Sequence, residues 1–317
     1  MLRLVDDIAG MSLDGIKFHL LLKLESYMQE RHPLFNDLKK WLFTEEQWSQ
    51  TIDYAINKGL EVVTLCNDVE SVEFVRKKGK GIVGIELHAI SLNDYFLLEE
   101  ASKFSGVIIL GVGGSMLDEV SYAVNFLKSK GKNDILLMYG FQSFPTDYSK
   151  INLSKMGKIK EMFNLPVGYA DHTSYDDKNN EIISVMAAAI GFNILEKHYT
   201  PDLGKERIDY QAAVSRKQMI KIKELLKLAL IVHGDESLEM SKDEQDYGKT
   251  GPMKKAIVAK GDIMKDEKLS LDNLWFKRTK EESNVKQSQF QELLRLKAKR
   301  NINDGDVIDF KDLEDDK

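Results

Sequence analysis

LPVGYADHTSYDD (165–177) decides the fold. Six residues with almost no polar atoms, LPVGYA, run straight into an acid, a histidine and a threonine. Continuous apolar runs of this length, bounded by turn residues, mark strands covered on both faces. The flanks agree: LSKMGKIKEMF precedes the run and NEIISVMAAAIGF follows it, both with helical spacing of apolar residues.

Working outward, the same unit recurs. Strands are expected at DGIKFHLL (14–21), GLEVVTL (59–65), GIVGIEL (81–87), GVIILGV (106–112), NDILLMYG (133–140), LPVGYA (165–170) and FNILEKH (192–198). Amphipathic helices fall between them. FTEEQWSQTIDYAINKG (43–59) carries Thr-x-x-Gln at its start and Gly59 at its stop. The last apolar helix is SRKQMIKIKELLKLALIVHG (215–234). Strand and helix alternating at near-even spacing predict an α/β fold, a TIM-type (β/α) barrel in preference to a doubly wound sheet. An eight-stranded barrel needs one strand more. LVDDIAGMSL (4–13) reads as a helix leading into the first strand, so the missing strand is expected upstream of Met1: either the chain is N-terminally short or the barrel is open. Two bare sheet edges invite association, so a dimer less stable than a closed barrel is expected.

After residue 234 the pattern changes. DESLEMSKDEQDYGKTG (235–251) reads as a polar linker. Residues 252–317, with KKAIVAKGDIMKDEKLSLDNLWFKR and LRLKAKRNINDGDVIDFKDLE, alternate short strands with turns and form a second, small, mostly β domain. The barrel domain is thus 1–234.

Charge narrows the partners. Forty-five Lys and Arg stand against 51 Asp and Glu, a net charge of −6, and no basic stripe alternates with aromatics, so a nucleic-acid partner is not expected. No run is apolar enough to span a bilayer, and MLRLVDDIAG carries acids where a secretory signal is apolar; a soluble, cytoplasmic protein is expected. The single cysteine, Cys66, excludes an intramolecular disulfide and is expected to be a packed thiol.

In a parallel barrel the reactive groups stand at the C-terminal ends of strands. Lys17 and His19, Gln142, Asp171 and His172, and Glu196 and His198 all fall there. His172 and His198 end neighbouring strands, about 4.8 Å apart. Two imidazoles at that spacing can share a divalent ion, with carboxylates and water completing it; equally, each can simply hydrogen-bond at its strand end. Lys17 is a cation inside an apolar run and needs an anion. That anion is either an acid across the barrel or a phosphate or carboxylate ligand. GVGGS (111–115) offers backbone amides to an anion, or is only a turn.

The motifs themselves resemble a known family. PVGYADHT and NILEKHYTPDLGKERIDYQAAVS are similar to the G-[YF]-[SA]-D-H-T and E-K-H-[FY]-T motifs of the sialic acid synthases, with their legionaminate and pseudaminate relatives. IKFH (16–19) matches V-K-F-Q, MLDEV (116–120) and FPTDYSKINL (144–153) follow in register, and NLWFKR (273–278) resembles the start of an antifreeze-like (SAF) C-terminal domain. The resemblance implies a barrel plus that small domain, swapped between the chains of a homodimer. It implies a transferase that joins phosphoenolpyruvate to an N-acetylated amino sugar, giving a nonulosonic acid and phosphate. His172 and His198 would ligate Mn²⁺ or Mg²⁺ and form the catalytic set with Glu196 and Asp171. Lys17 would neutralise phosphoenolpyruvate. Glu196 and Asp209 would hold sugar hydroxyls, His19 stands in place of a sugar-binding amide, Gln142 would contact substrate, and Arg278 would reach the sugar's acyl group from the partner chain.

The phosphoenolpyruvate end departs from the family pattern. The K-I-x-S strand aligns with GIELHA (84–89), placing Gly84 and Leu87 where ligands stand; S-T-G becomes GVG at Gly111; the serine of S-D-H becomes Ala170. Besides the synthase, the residues fit an inactive sugar-binding or scaffold relative, or another metal-dependent lyase or aldolase on the same barrel.

Overall fold

A computed structural model of the chain describes residues 1–141, 143 and 146–315. Seven parallel strands form one sheet in sequential order: β1 Gly15–Leu20, β2 Glu61–Cys66, β3 Ile82–Leu87, β4 Val107–Gly111, β5 Ile135–Tyr139, β6 Val167–Asp171 and β7 Leu195–Lys197. Five of the seven lie within the runs expected from sequence, and β2 and β6 each extend one residue beyond theirs, to Cys66 and Asp171. Helices cross over between consecutive strands, so the sheet curls into a TIM-like barrel with β1 and β7 as its two ends. Helix Leu2–Gly10 precedes β1, where the sequence places one.

Local chemistry explains the element ends. Helix Glu45–Asn57 starts at a capping box: the Gln47 amide donates to the Thr44 hydroxyl at 3.2 Å and the Gln47 side chain accepts from the Thr44 amide at 2.9 Å. Its Trp48, Ile52 and Ala55 face the sheet and are buried. Helix Arg216–His233 opens on a second box at Ser215 and Gln218, and ends at Gly234, whose φ is +76°.

The pleat sorts each strand onto two faces. Along β5, Ile135, Leu137 and Tyr139 join the large core under the helices, while Leu136 and Met138 point into the lumen. With Ile109, Ala170 and partly Val63 they make a small apolar floor. GVGGS is a close approach of two strand ends. A Cβ on Gly113 would collide with the Gly140 carbonyl, and one on Gly140 with the Ala170 carbonyl.

The chain divides into two units, Met1–Asp235 and Glu236–Lys317. The second has two antiparallel pairs, β8 Ala256–Ala259 with β9 Leu274–Lys277 and β10 Leu296–Ala298 with β11 Leu313–Asp315, around Ile257, Leu269, Leu274, Leu293 and Ile308. The stretch expected as linker contains a helix, Lys242–Tyr247, nucleated by a capping box at Ser241 and Glu244.

Candidate functional site

The strand pleat carries inward from Glu196 to His198 and from Ala170 to His172. The two imidazoles meet at the lumen mouth with ring centroids 5.3 Å apart and planes tilted by 55°. Burial lowers the His172 pKa, and burial together with the His172 neighbour pushes His198 down to about 3. Both rings are therefore neutral near pH 7, the form that binds metals.

An imidazole nitrogen ligating at about 2.1 Å sets its ring centroid about 3.2 Å from the ion; two such rings at ligand angles of about 90–110° lie about 4.5–5.2 Å apart. The observed separation of 5.3 Å stands at the upper edge of that span. Among the described residues no three His, Cys, Asp or Glu side chains converge as a ready-made cage. The pair can therefore hold two positions, leaving the others for water or a substrate oxygen.

Below the rings lies a charged triad. Lys17 Nζ is 2.5 Å from Glu196 Oε2 and 2.8 Å from Glu86 Oε2. Of the two partners open for Lys17, the structure pairs it with acids across the barrel. Burial opposes its charge, but Glu196 and Glu86 together hold its pKa above the usual value. Burial pushes Glu86 up to about 7 despite Lys17, whereas Lys17 outweighs burial at Glu196 and holds it below the ordinary carboxylate range. We take Glu196 as the ionised partner, the closer of the two to Lys17.

His19 stands on β1 two residues beyond Lys17, open to water and close enough to act on His198. His88, just past β3, accepts from the Ile90 amide at 3.3 Å and experiences the charges of Lys17, Asp209, Glu196 and His172. Asp209, at a left-handed φ of +58°, is thereby brought to the same mouth.

One expected residue, Asp171, is not gathered there. Asp171 belongs to the opposite pleat phase, with Val167 and Tyr169, and points outward under the helices. Its carboxylate meets Lys197 Nζ at 2.6 Å, with both side chains almost fully buried. It also accepts from Ser184 Oγ at 2.6 Å, Thr173 Oγ1 at 2.6 Å, the Thr173 amide at 3.0 Å and the Tyr169 hydroxyl at 3.0 Å. The expectation that Asp171 reaches the lumen is corrected by that geometry. It is a positioning residue, fixing the strand ends that carry His172 and His198. Arg278 lies in the second unit, where its guanidinium donates to the Pro252 carbonyl at 3.0 Å. Gln142 lies outside the described residues.

Sequence reasoning passed over Glu86 and Lys197. The signal for Glu86 was the one that flagged Lys17: a lone charge in an apolar strand, IVGIEL.

Comparison with known proteins is consistent with this geometry. The sequence profile of the NeuB family matches residues 22–237. The N,N'-diacetyllegionaminic acid synthase of Campylobacter jejuni is 30% identical over 243 residues, 76% of this chain and 70% of that protein. An uncharacterized protein of Methanocaldococcus jannaschii is 28% identical over 310 residues, 98% of this chain and 88% of that one. In three dimensions, a putative spore coat polysaccharide biosynthesis protein E from Chromobacterium violaceum superposes with a TM-score of 0.85 at 20% identity, covering 99% of this chain and 94% of that one. The chain belongs to the NeuB family of sialic acid synthase-like proteins.

Proposed function

We propose that the protein is a divergent nonulosonic acid synthase, a transferase that condenses phosphoenolpyruvate with an open-chain N-acetylated amino sugar. The methylene carbon of phosphoenolpyruvate bonds to the aldehyde carbon of the sugar. Water adds to the former enol carbon, and inorganic phosphate leaves from it, giving a 2-keto sugar acid. The observation that supports this reading most directly is the pair of neutral imidazoles 5.3 Å apart at the mouth of a charged lumen.

His172 and His198 would hold Mn²⁺ or Mg²⁺, which when bound supplies polarisation of the aldehyde. Glu196, ionised and next to His198, accepts hydrogen bonds from sugar hydroxyls, and Asp209 and His19 bound the same space. Lys17 offers the positive charge toward the anionic substrate. In this reading the second unit is antifreeze-like, and Arg278 of the partner subunit reaches the acyl group of the sugar in a domain-swapped homodimer in the cytoplasm. Among the described residues no helix is long and apolar enough to cross a membrane.

A sugar-binding relative without turnover is the second reading, favoured by one observation: Lys17 already has two carboxylate partners. The deciding assay mixes the full chain, Mn²⁺, phosphoenolpyruvate and a panel of N-acetylated six-carbon sugars, and follows phosphate. Sugar-dependent release that disappears in His172→Ala and His198→Ala is expected. No release with any sugar, while the sugars still bind, would establish the second reading instead.

A further inference from the structure

Glu86 has no part in the reaction just described, yet it occupies the centre of the lumen. It projects inward from β3, is 4% exposed, and its Oε2 contacts Lys17 Nζ at 2.8 Å. With Glu196 at 2.5 Å on the other side, one cation faces two carboxylates. Lys17 and Glu196 are the charged groups acting on Glu86; β2 and β4, on either side of β3, present Val63 and Ile109 to the lumen, and His19 and His88 stand further toward its mouth. Space for the acid is built in on β4. A Cβ on Gly111 would come within 3.4 Å of Glu86 Oε1 and 3.2 Å of the Ala89 amide nitrogen.

We propose that Glu86 is the specificity-determining residue of this lumen: it holds the place of an anionic ligand at Lys17, and a phosphate- or carboxylate-bearing substrate binds only when Glu86 takes up a proton from solvent and gives up that contact. Once protonated, the carboxyl turns from competitor into hydrogen-bond donor toward the incoming anion. Burial brings this protonation within reach of neutral pH. The inference deepens the synthase reading and rests on it for the identity of the anion, phosphoenolpyruvate.

The test is equilibrium binding without sugar, so that no turnover is required. The full chain, Glu86→Gln and Glu86→Ala are titrated by calorimetry with phosphoenolpyruvate and with sulfate, an anion of constant charge, across about pH 6 to 9. Above the Glu86 pKa, wild-type affinity for sulfate should fall about tenfold per pH unit, one proton being taken up per anion. Glu86→Gln should bind about tenfold or more tightly than wild type at pH 8, with a flat profile and no proton uptake, and Glu86→Ala should change in the same direction. Equal affinities and equal pH slopes in wild type and Glu86→Gln overturn the proposal, as does an absence of anion binding in both variants. Glu86-dependent sulfate binding without phosphate release from any sugar sinks the synthase reading and leaves the role of Glu86 standing.

Discussion

Asp171→Asn tests the outward-facing ion pair behind the two histidines. The exchange keeps the side chain's shape and removes its charge. Lys197 Nζ then retains one charge-free acceptor already in place, the Thr173 carbonyl at 3.1 Å. Stranding one member of a buried pair costs about 3–5 kcal/mol. Proton loss sets a ceiling: at pH 7 a lysine of ordinary pKa, about 10.4, gives up its proton for about 4.6 kcal/mol. Burial already draws Lys197 below that value, which lowers the ceiling. A loss of about 3–4 kcal/mol is therefore expected. The opposite deletion, Lys197→Met, should cost less, because Asp171 keeps donors from Ser184, Thr173 and Tyr169. The double variant should recover part of the loss, since no buried charge remains. In Asp171→Asn the folded chain holds Lys197 neutral while the unfolded chain holds it charged. The unfolded state then binds more protons, and stability rises with pH toward about 10. Urea unfolding, read from buried Trp48 in a background with exposed Trp41 and Trp275 replaced by Phe, measures all of this. A loss below about 1 kcal/mol for Asp171→Asn, or a larger loss for Lys197→Met, would refute the assignment.

Two further outcomes are expected. Cys66 is fully buried and its thiol is pushed up to about 12, so the native protein should not react with a thiol reagent at pH 8 and should release one equivalent once unfolded in urea; rapid labelling of the native chain contradicts the packing. Gly140→Ala drives a methyl into the Ala170 carbonyl, which can yield only by parting β5 from β6; a cost of about 1–3 kcal/mol, seen as a melting point lowered by several degrees, is expected, and an unchanged melting curve rules the contact out.

The strands were legible because each is buried on both faces and reads as a continuous apolar run. That same property hid which way the strand-end residues point. In VGYAD both pleat phases are apolar until Asp171, so nothing in the sequence said that Tyr169 and Asp171 share the outer face while Ala170 and His172 share the inner one. The two histidines were found by their place after the strands, and the acid beside one of them was misplaced for the same reason. Glu86 is hidden because a single acid between apolar residues has no spacing signal of its own; Gly84 shares its inward face and Leu87 lies on the outer one. The helix at Lys242–Tyr247 was legible in principle: Ser241 and Glu244 form a capping box that an acidic, polar stretch made easy to pass over.

The two ends of the sheet are stitched together by side chains. Lys17 of β1 grips Glu196 of β7, Tyr199 donates to Asp7 at 3.0 Å, and Arg216 reaches the Gly10 carbonyl at 3.1 Å. A stave barrel of this kind has one elastic joint, and the clasp across it is made from the very ammonium a guest must engage. A guest that displaces Glu86 leaves the clasp to Glu196 closed, so the hoop stays tight while the vessel fills, and amide exchange along β1 and β7 should not quicken on loading.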